Sequence, residues 1–316
     1  MKALVLIGGF GTRLRPLTYQ IPKQLIPIAG KPMLYHVLDL LPPEVDEAVL
    51  ATGYKADVVD RYVRDHPPQL RVRTVPETEP LGTGGGMRNA GDGMSDPFLL
   101  LNSDVIAAID LAKLLALHER RRGVGMMSLA HVDDTSPYGV AALGADDRIE
   151  RFVEKPKPED APSHWINAGA GVWRSSVLER IPRGRPVSFE TEIVPGLLAE
   201  GIFGFRVEGF WEDAGTPARL LHAQRLLFAA GRGAAADGSV AAAATVRAHG
   251  ATVGPNVTLG ENVQVGGGAR VEDAVVMDGA RIGAGAIVVH SIIGPNAVVD
   301  AGRRVDGEVL AVGSGP

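Results

Sequence analysis

Cysteine is absent from the 316 residues, which excludes disulfides, a thiol nucleophile and zinc held by thiolates. No apolar run approaches the ~18 residues that a membrane-spanning helix requires, and the first residues enter a strand without a basic leader and cleavage site. The expectation is a soluble, cytoplasmic chain with no membrane partner. Positive charge is not in excess either. The 32 Lys and Arg against 37 Asp and Glu leave a formal net charge of -5, unlike the strongly basic surface of a general nucleic-acid binder. Anionic ligands must therefore meet positive charge that is concentrated locally. Hydrophobic residues at 45% and charged residues at 22% are ordinary for a globular protein, and the length suits two domains of about 150 residues each.

Two common phosphate motifs are also missing. A dinucleotide fingerprint starting at Gly9 would need a third glycine where Leu14 stands, and the Gly-Lys-Ser/Thr of a P-loop does not occur. What is present is a short buried-strand pattern over residues 3–7 that runs into Gly8-Gly9-Phe10-Gly11-Thr12-Arg13-Leu14. Glycines there permit a sharp turn and a close approach of ligand to backbone amides, and Arg13 adds a fixed positive charge. A bare tight turn with a solvated arginine is the bland alternative.

Further along, residues 31–41 and 56–65 have helical spacing, and residues 47–52, 71–75, 97–102, 125–131, 139–143, 149–153 and 168–173 read as strands. This alternation predicts an α/β fold, a Rossmann-like and mostly parallel sheet with helices on both faces. Ligands gather outside the carboxyl ends of such strands, so Asp104, which follows 97–102, should lie at the same edge as Gly8. Composition shifts near residue 228. Residues 229–248 are small and low in complexity, and read as a linker. Beyond them branched aliphatics recur at Val253, Leu259, Val265, Val271, Val276, Ile282, Val288, Ile293, Val299 and Val305, in steps of six with two of five. The pattern resembles the hexapeptide repeat of a left-handed parallel β-helix. The expected division is an α/β domain over 1–228, a linker over 229–248 and a β-helix over 249–316. The β-helix is expected to serve stability and homo-oligomer assembly.

Gly-Gly-Phe-Gly-Thr-Arg-Leu-Arg-Pro-Leu-Thr over 8–18, then Pro22-Lys23, Glu154-Lys155-Pro156 and Asp213-Ala214-Gly215-Thr216-Pro217, resemble the sugar-1-phosphate nucleotidylyltransferases in residue type and order. The resemblance implies transfer of a nucleotidyl group from a nucleoside triphosphate to a sugar 1-phosphate. It implies Mg²⁺ on Asp104 and Asp213, with Glu212 left without a role. Arg13 and Lys23 would face phosphates, and Gly8, Gly9, Gly11 and Thr12 would line the triphosphate. Gly139, Glu154, Lys155 and Asn167 would hold the sugar phosphate. Glu77, Gly82 and Thr83 would read the base: an acceptor-only carboxylate suits the paired donors of guanine better than the single N–H of uracil or thymine. Glu77 and the 209–211 segment resemble the mannose-1-phosphate guanylyl branch, whereas Lys23-Gln24-Leu25-Ile26-Pro27 is more like the branch that acts on glucose 1-phosphate with thymidylyl or uridylyl donors. A non-catalytic nucleotide-sugar-binding regulator is a further reading, against which stand intact Arg13, Lys23, Asp104 and Asp213. The eight histidines form no liganding cluster, and His290, on the repeat, reads as structural and not as an acyl-transfer base.

Overall fold

The computed structural model describes residues 1–232 and 240–312. The chain forms two compact units, Met1–Gly9 with Val37–Trp211, and Phe10–His36 with Glu212–Pro316. The first unit is built on nine strands: β1 (Lys2–Ile7), β2 (Glu47–Thr52), β3 (Arg71–Pro76), β4 (Phe98–Asn102), β5 (Gly125–His131), β6 (Gly139–Leu143), β7 (Ile149–Glu154), β8 (Trp165–Trp173) and β9 (Ile202–Arg206). They pair in the order β7-β6-β8-β4-β1-β2-β3, with β5 on β8 and β9 on β5. Strands β4, β1, β2 and β3 run parallel, each pair separated by a long connection that holds or passes a helix. At β8 the sheet becomes mixed: β8 runs antiparallel to β4, β5 and β6, the short connection 144–148 makes β6 and β7 a hairpin, and β9 lies parallel on β5.

Apolar strands buried on both faces explain why β1, β2 and β4 are nearly continuous Val, Leu and Ala. Helices α1 (Ala56–Asp65), α2 (Gly82–Ala90) and α3 (Leu111–Arg120) cover the sheet. One core joins Leu4, Val49, Phe98, Leu129, Trp173 and Phe189, and the last two rings meet edge to face at 4.9 Å. The parallel strands deliver Gly8, Gly53, Glu77 and Asp104 to one carboxyl edge, as the sequence predicts for Gly8 and Asp104.

The second unit holds the segment that follows the glycine turn, helix α4 (Pro217–Ala229) and a parallel β-helix. Val240 pairs with Val257 and Val257 with Ala274, seventeen residues apart, which is two six-residue steps and one of five. Nine of the ten repeated aliphatics are buried in one stack, with Val253 packed at its end. Asn256, Asp273, His290 and Gly307, seventeen residues apart in turn, form one corner column in the left-handed region. His290 therefore occupies a corner, its Nδ1 3.1 Å from Asp306, in keeping with a structural histidine.

Two boundaries differ from the sequence expectation. Strand Val240–Ala242 already belongs to the β-helix, pairing with Val257–Leu259 and burying Ala241, so the expected linker over 229–248 is too long. The remainder of that linker, 233–239, lies outside the described residues. The helix expected over 31–41 forms only as Met33–Leu38, because Lys31–Pro32 instead pairs with Pro27–Ile28 as a hairpin. Gly125 has no room for a side chain, since a Cβ there would sit 2.3 Å from the Trp173 ring. Gly125→Ala should therefore lower unfolding free energy by about 1–3 kcal/mol through overpacking, read by urea denaturation.

Candidate active site

In the second unit three cations surround one carboxylate. Asp213 lies 3.9 Å from the Arg13 guanidinium, 3.9 Å from Lys23 Nζ and 3.8 Å from Arg219. Each element serves that meeting. Gly11 adopts φ 59° and a Cβ on it would strike Thr18 at 2.7 Å, so the turn needs glycine for two reasons. Its carbonyl accepts hydrogen bonds from Thr18 Oγ1 at 2.9 Å and from the Leu14 amide at 2.9 Å, fixing the short turn that carries Arg13. Lys23, only 7% exposed, opens the turn Lys23–Leu25 after extended Pro22. Gly215 leaves space for Arg13, because a Cβ there would lie 2.4 Å from the guanidinium.

Arg219 is a site residue that the sequence reading passed over. A cation in the first turn of α4, beside the positive helix end, is electrostatically unfavourable on its own. Its position makes sense because Glu212 and Asp213 face it, both at 3.8 Å. That misplaced charge was the signal in the sequence. Glu212 is buried and engages the His222 ring at 2.5 Å, so it braces α4. Thr216 caps α4 by accepting from the Arg219 amide, with Pro217 in the first turn.

In the first unit, Gly82, Thr83, Asn102, Gly139, Glu154, Lys155, Asn167 and Glu190 are among the residues around a cavity of about 540 Å³. Glu154 pairs in register with Gly139, whose missing Cβ would otherwise lie 2.7 Å from the carboxylate. Lys155 sits at φ 47°, its amide bonded to the Tyr138 carbonyl and its Nζ 3.3 Å from Glu154. Asn167 turns its oxygen onto the Gly169 amide. Thr83 stands in this same cavity: its hydroxyl donates to Glu190 at 2.6 Å and accepts from the Phe189 amide. Glu190, which the sequence reading missed, lies on a π-helical turn, Phe189–Ile193. Burial, and next the nearby Glu190 carboxylate, push the Glu154 carboxyl above the usual range, against the pull of Lys155.

Glu77 stands at the carboxyl edge beside Gly53 and accepts from the Leu81 amide at 3.2 Å. Burial raises its carboxyl as well. Gly82 has φ 71° and abuts the Val187 carbonyl, so in the chain alone it serves a close backbone crossing. Asp104 follows Ser103, whose hydroxyl and amide both bond the Leu6 carbonyl, tying that corner to β1. Among the described residues no three His, Cys, Asp or Glu side chains group to hold a metal unaided. One or two carboxylates completed by phosphates remain a fit for Mg²⁺, which keeps water and phosphate ligands. No helix among the described residues is long and apolar enough to cross a membrane.

The first unit thus carries a strand that runs into glycines and a polar cavity, and the second a cluster of three cations around a carboxylate. Residues 2–229 match the Nucleotidyl transferase family model and residues 237–314 match the GMPPB C-terminal domain, and the chain belongs to the nucleotidyl transferase family. It is 38% identical to "Probable mannose-1-phosphate guanylyltransferase 1" of Oryza sativa subsp. japonica, over 97% of this chain and 89% of that one. It is 37% identical to "Mannose-1-phosphate guanylyltransferase" of Mycobacterium tuberculosis, over 98% and 79% of the two chains. Among solved structures, HddC from Yersinia pseudotuberculosis complexed with GMP-PN has 29% identity and a TM-score of 0.59, covering 71% of this chain and 98% of that one.

The raised Glu154 carboxyl has a consequence for stability. A raised folded-state pKa means the favourable contribution is present at acid pH and is lost as pH rises through the raised value. Glu154→Gln should thus raise the melting temperature at neutral pH, and the gain should vanish in acid, where the wild-type carboxyl is protonated. Melting curves across pH read this directly.

Proposed function

We propose that the chain transfers GMP from GTP to mannose 1-phosphate, forming GDP-mannose and releasing pyrophosphate. The observation that carries the reading is the set of three cations around Asp213 in a chain whose net charge is negative. The named activity of its relatives supplies the sugar and the base. A phosphate oxygen of the sugar 1-phosphate forms a bond to the α-phosphorus while the bond from that phosphorus to the β-phosphate bridging oxygen breaks. The nucleophile has a second pKa of about 6 and is already anionic near neutrality, so no general base is needed. Catalysis then consists of alignment and charge neutralisation.

Arg13, with Gly8, Gly9, Gly11 and Thr12, is assigned to the triphosphate, and Lys23 to the α-phosphate as charge builds there. Lys155 offsets the sugar phosphate, while Glu154 and Asn167 accept and donate hydrogen bonds to sugar hydroxyls. Asp104 and Asp213 are the carboxylates that would hold Mg²⁺. When bound, that ion would add a Lewis-acid charge on phosphate oxygens. Glu77 is assigned to guanine, and Gly82 and Thr83 to the segment beside it. A homo-oligomer built through the β-helix belongs to the same reading, and light scattering on the full chain measures it.

Pyrophosphate release across a grid of nucleoside triphosphates and sugar 1-phosphates tests the proposal. GTP with mannose 1-phosphate should lead. Leadership by dTTP or UTP with glucose 1-phosphate would replace the substrate pair, and silence everywhere with nucleotide-sugar binding retained would make the chain a regulator. Lys23→Ala should lower kcat about 100-fold or more, some 2.7 kcal/mol, with little change in melting temperature. Glu77→Gln provides both donor and acceptor, so it should pull the GTP-to-dTTP ratio of kcat/KM toward one. The expected loss is roughly tenfold, by analogy with a bidentate base contact. An unchanged ratio would place base reading elsewhere.

A further inference from the structure

Gln224, in the middle of α4, is completely buried. Its Oε1 accepts from Thr258 Oγ1 at 2.6 Å and from the Ala29 amide at 3.2 Å, and its Nε2 donates to the carbonyls of Asn256 at 2.7 Å and Ala274 at 3.2 Å. Every donor and lone-pair site of the amide is thereby used. Three of the partners belong to two successive coils of the β-helix. The fourth lies in the turn of the Pro27–Ile28 and Lys31–Pro32 hairpin, shortly after Lys23.

That turn needs holding. Ala29 has φ 48°, a conformation an alanine leaves unless its surroundings impose it. On the other side of the turn the buried His36 ring meets the Ile28 carbonyl at 2.8 Å through Nε2. Burial first, then Lys31 and Arg232, lower this histidine to about 3, partly offset by that bond, so the ring is neutral and Nε2 carries the proton. The rest of the segment is tied to the β-helix as well: Gln20 donates to the Val312 carbonyl at 2.8 Å, and Leu17 packs against Gly294. Arg225, next along α4, bonds Asp273 at 2.6 Å; it links the same helix to the same coils without touching the hairpin.

We infer that Gln224 is a positioning residue for nucleotidyl transfer, setting Lys23 through the Ala29 turn, so that the β-helix is a working part of the cation cluster around Asp213. The inference rests on the function proposed above. It adds a positioning role to the stability and assembly expected of the β-helix.

The experiment compares Gln224→Leu, Thr258→Val, Thr258→Ser and Arg225→Met in the full chain. It reads kcat, KM for mannose 1-phosphate, melting temperature, and hydrogen–deuterium exchange of a peptide over residues 22–33. Gln224→Leu should lower kcat about tenfold or more, with KM for the sugar phosphate within about twofold, and should speed exchange over 22–33. Thr258→Val should lower kcat about threefold and Thr258→Ser should restore it. Arg225→Met, even if it melts earlier, should keep kcat and exchange near wild type. Normal kcat and exchange in Gln224→Leu, or an equal kcat loss in Arg225→Met, overturns the inference. If Gln224→Leu does not fold, the Thr258 pair decides: loss in Val with recovery in Ser supports the role, and equal kcat in both overturns it. If the wild type releases no pyrophosphate from any substrate pair, the functional reading fails separately. Exchange over 22–33 then decides the positioning role alone, faster in Gln224→Leu than in Arg225→Met supporting it and equal rates overturning it.

Discussion

One carboxylate, that of Asp213, organises the cations on which everything else turns. Arg13, Lys23 and Arg219 come from three separate stretches of sequence, and like charges brought together repel unless an anion stands among them. The separations of 3.8–3.9 Å are longer than the ~2.7–2.9 Å of a tight charge-assisted bond. Asp213 therefore acts on the group at these separations as an electrostatic counterweight. Lys23, only 7% exposed, is the most buried of the three cations, and a buried charge needs an opposite charge near it. Gly11 and Gly215 are then required by geometry: one makes the turn and the other vacates the space that Arg13 fills.

The sugar-side cavity follows the opposite economy. Two carboxylates, Glu154 and Glu190, share it with Lys155, and burial first and then the Glu190 charge disfavour ionisation of Glu154. Such an arrangement costs stability in the empty protein and is sustained by the rigid sheet beneath it. The Trp173–Phe189 contact anchors the π-helical turn that presents Glu190, and Thr83 and Ser188 orient its carboxylate. Functional sites commonly hold strain and unfavourable charge in this way, on elements whose own packing is secure.

Much of this was legible in the sequence, for identifiable reasons. Strands 47–52, 125–131 and 139–143 were read at their observed bounds because Gly, Pro and charged residues delimit dense apolar runs. The β-helix stack was legible because its period is local and repeated. The antiparallel pairing at β8 was not, since pairing direction depends on which connections are long enough to cross over. Among site residues, Arg13, Lys23, Asp213, Glu154 and Lys155 stood in recognisable motifs. Arg219, Glu190 and Gln224 did not: each acquires meaning only from partners 6 to 195 residues away in sequence. A buried glutamine on an otherwise apolar helix face was the single hint for Gln224. The grouping of residues 10–36 with the C-terminal part of the chain had no local signal at all.

The corner column of the β-helix has a consequence for how such a repeat can diverge. The stacked aliphatics are constrained by the coils above and below, and changing one disturbs its neighbours. At the corner the only common demand is a left-handed backbone, met by asparagine, aspartate, histidine and glycine in turn. Two of those four positions bond α4, Asn256 through its backbone carbonyl and Asp273 through its carboxylate. The corner thus separates two tasks: the aliphatic ladder sets the shape of the solenoid, and a corner residue such as Asp273 is free to attach it to a neighbouring helix.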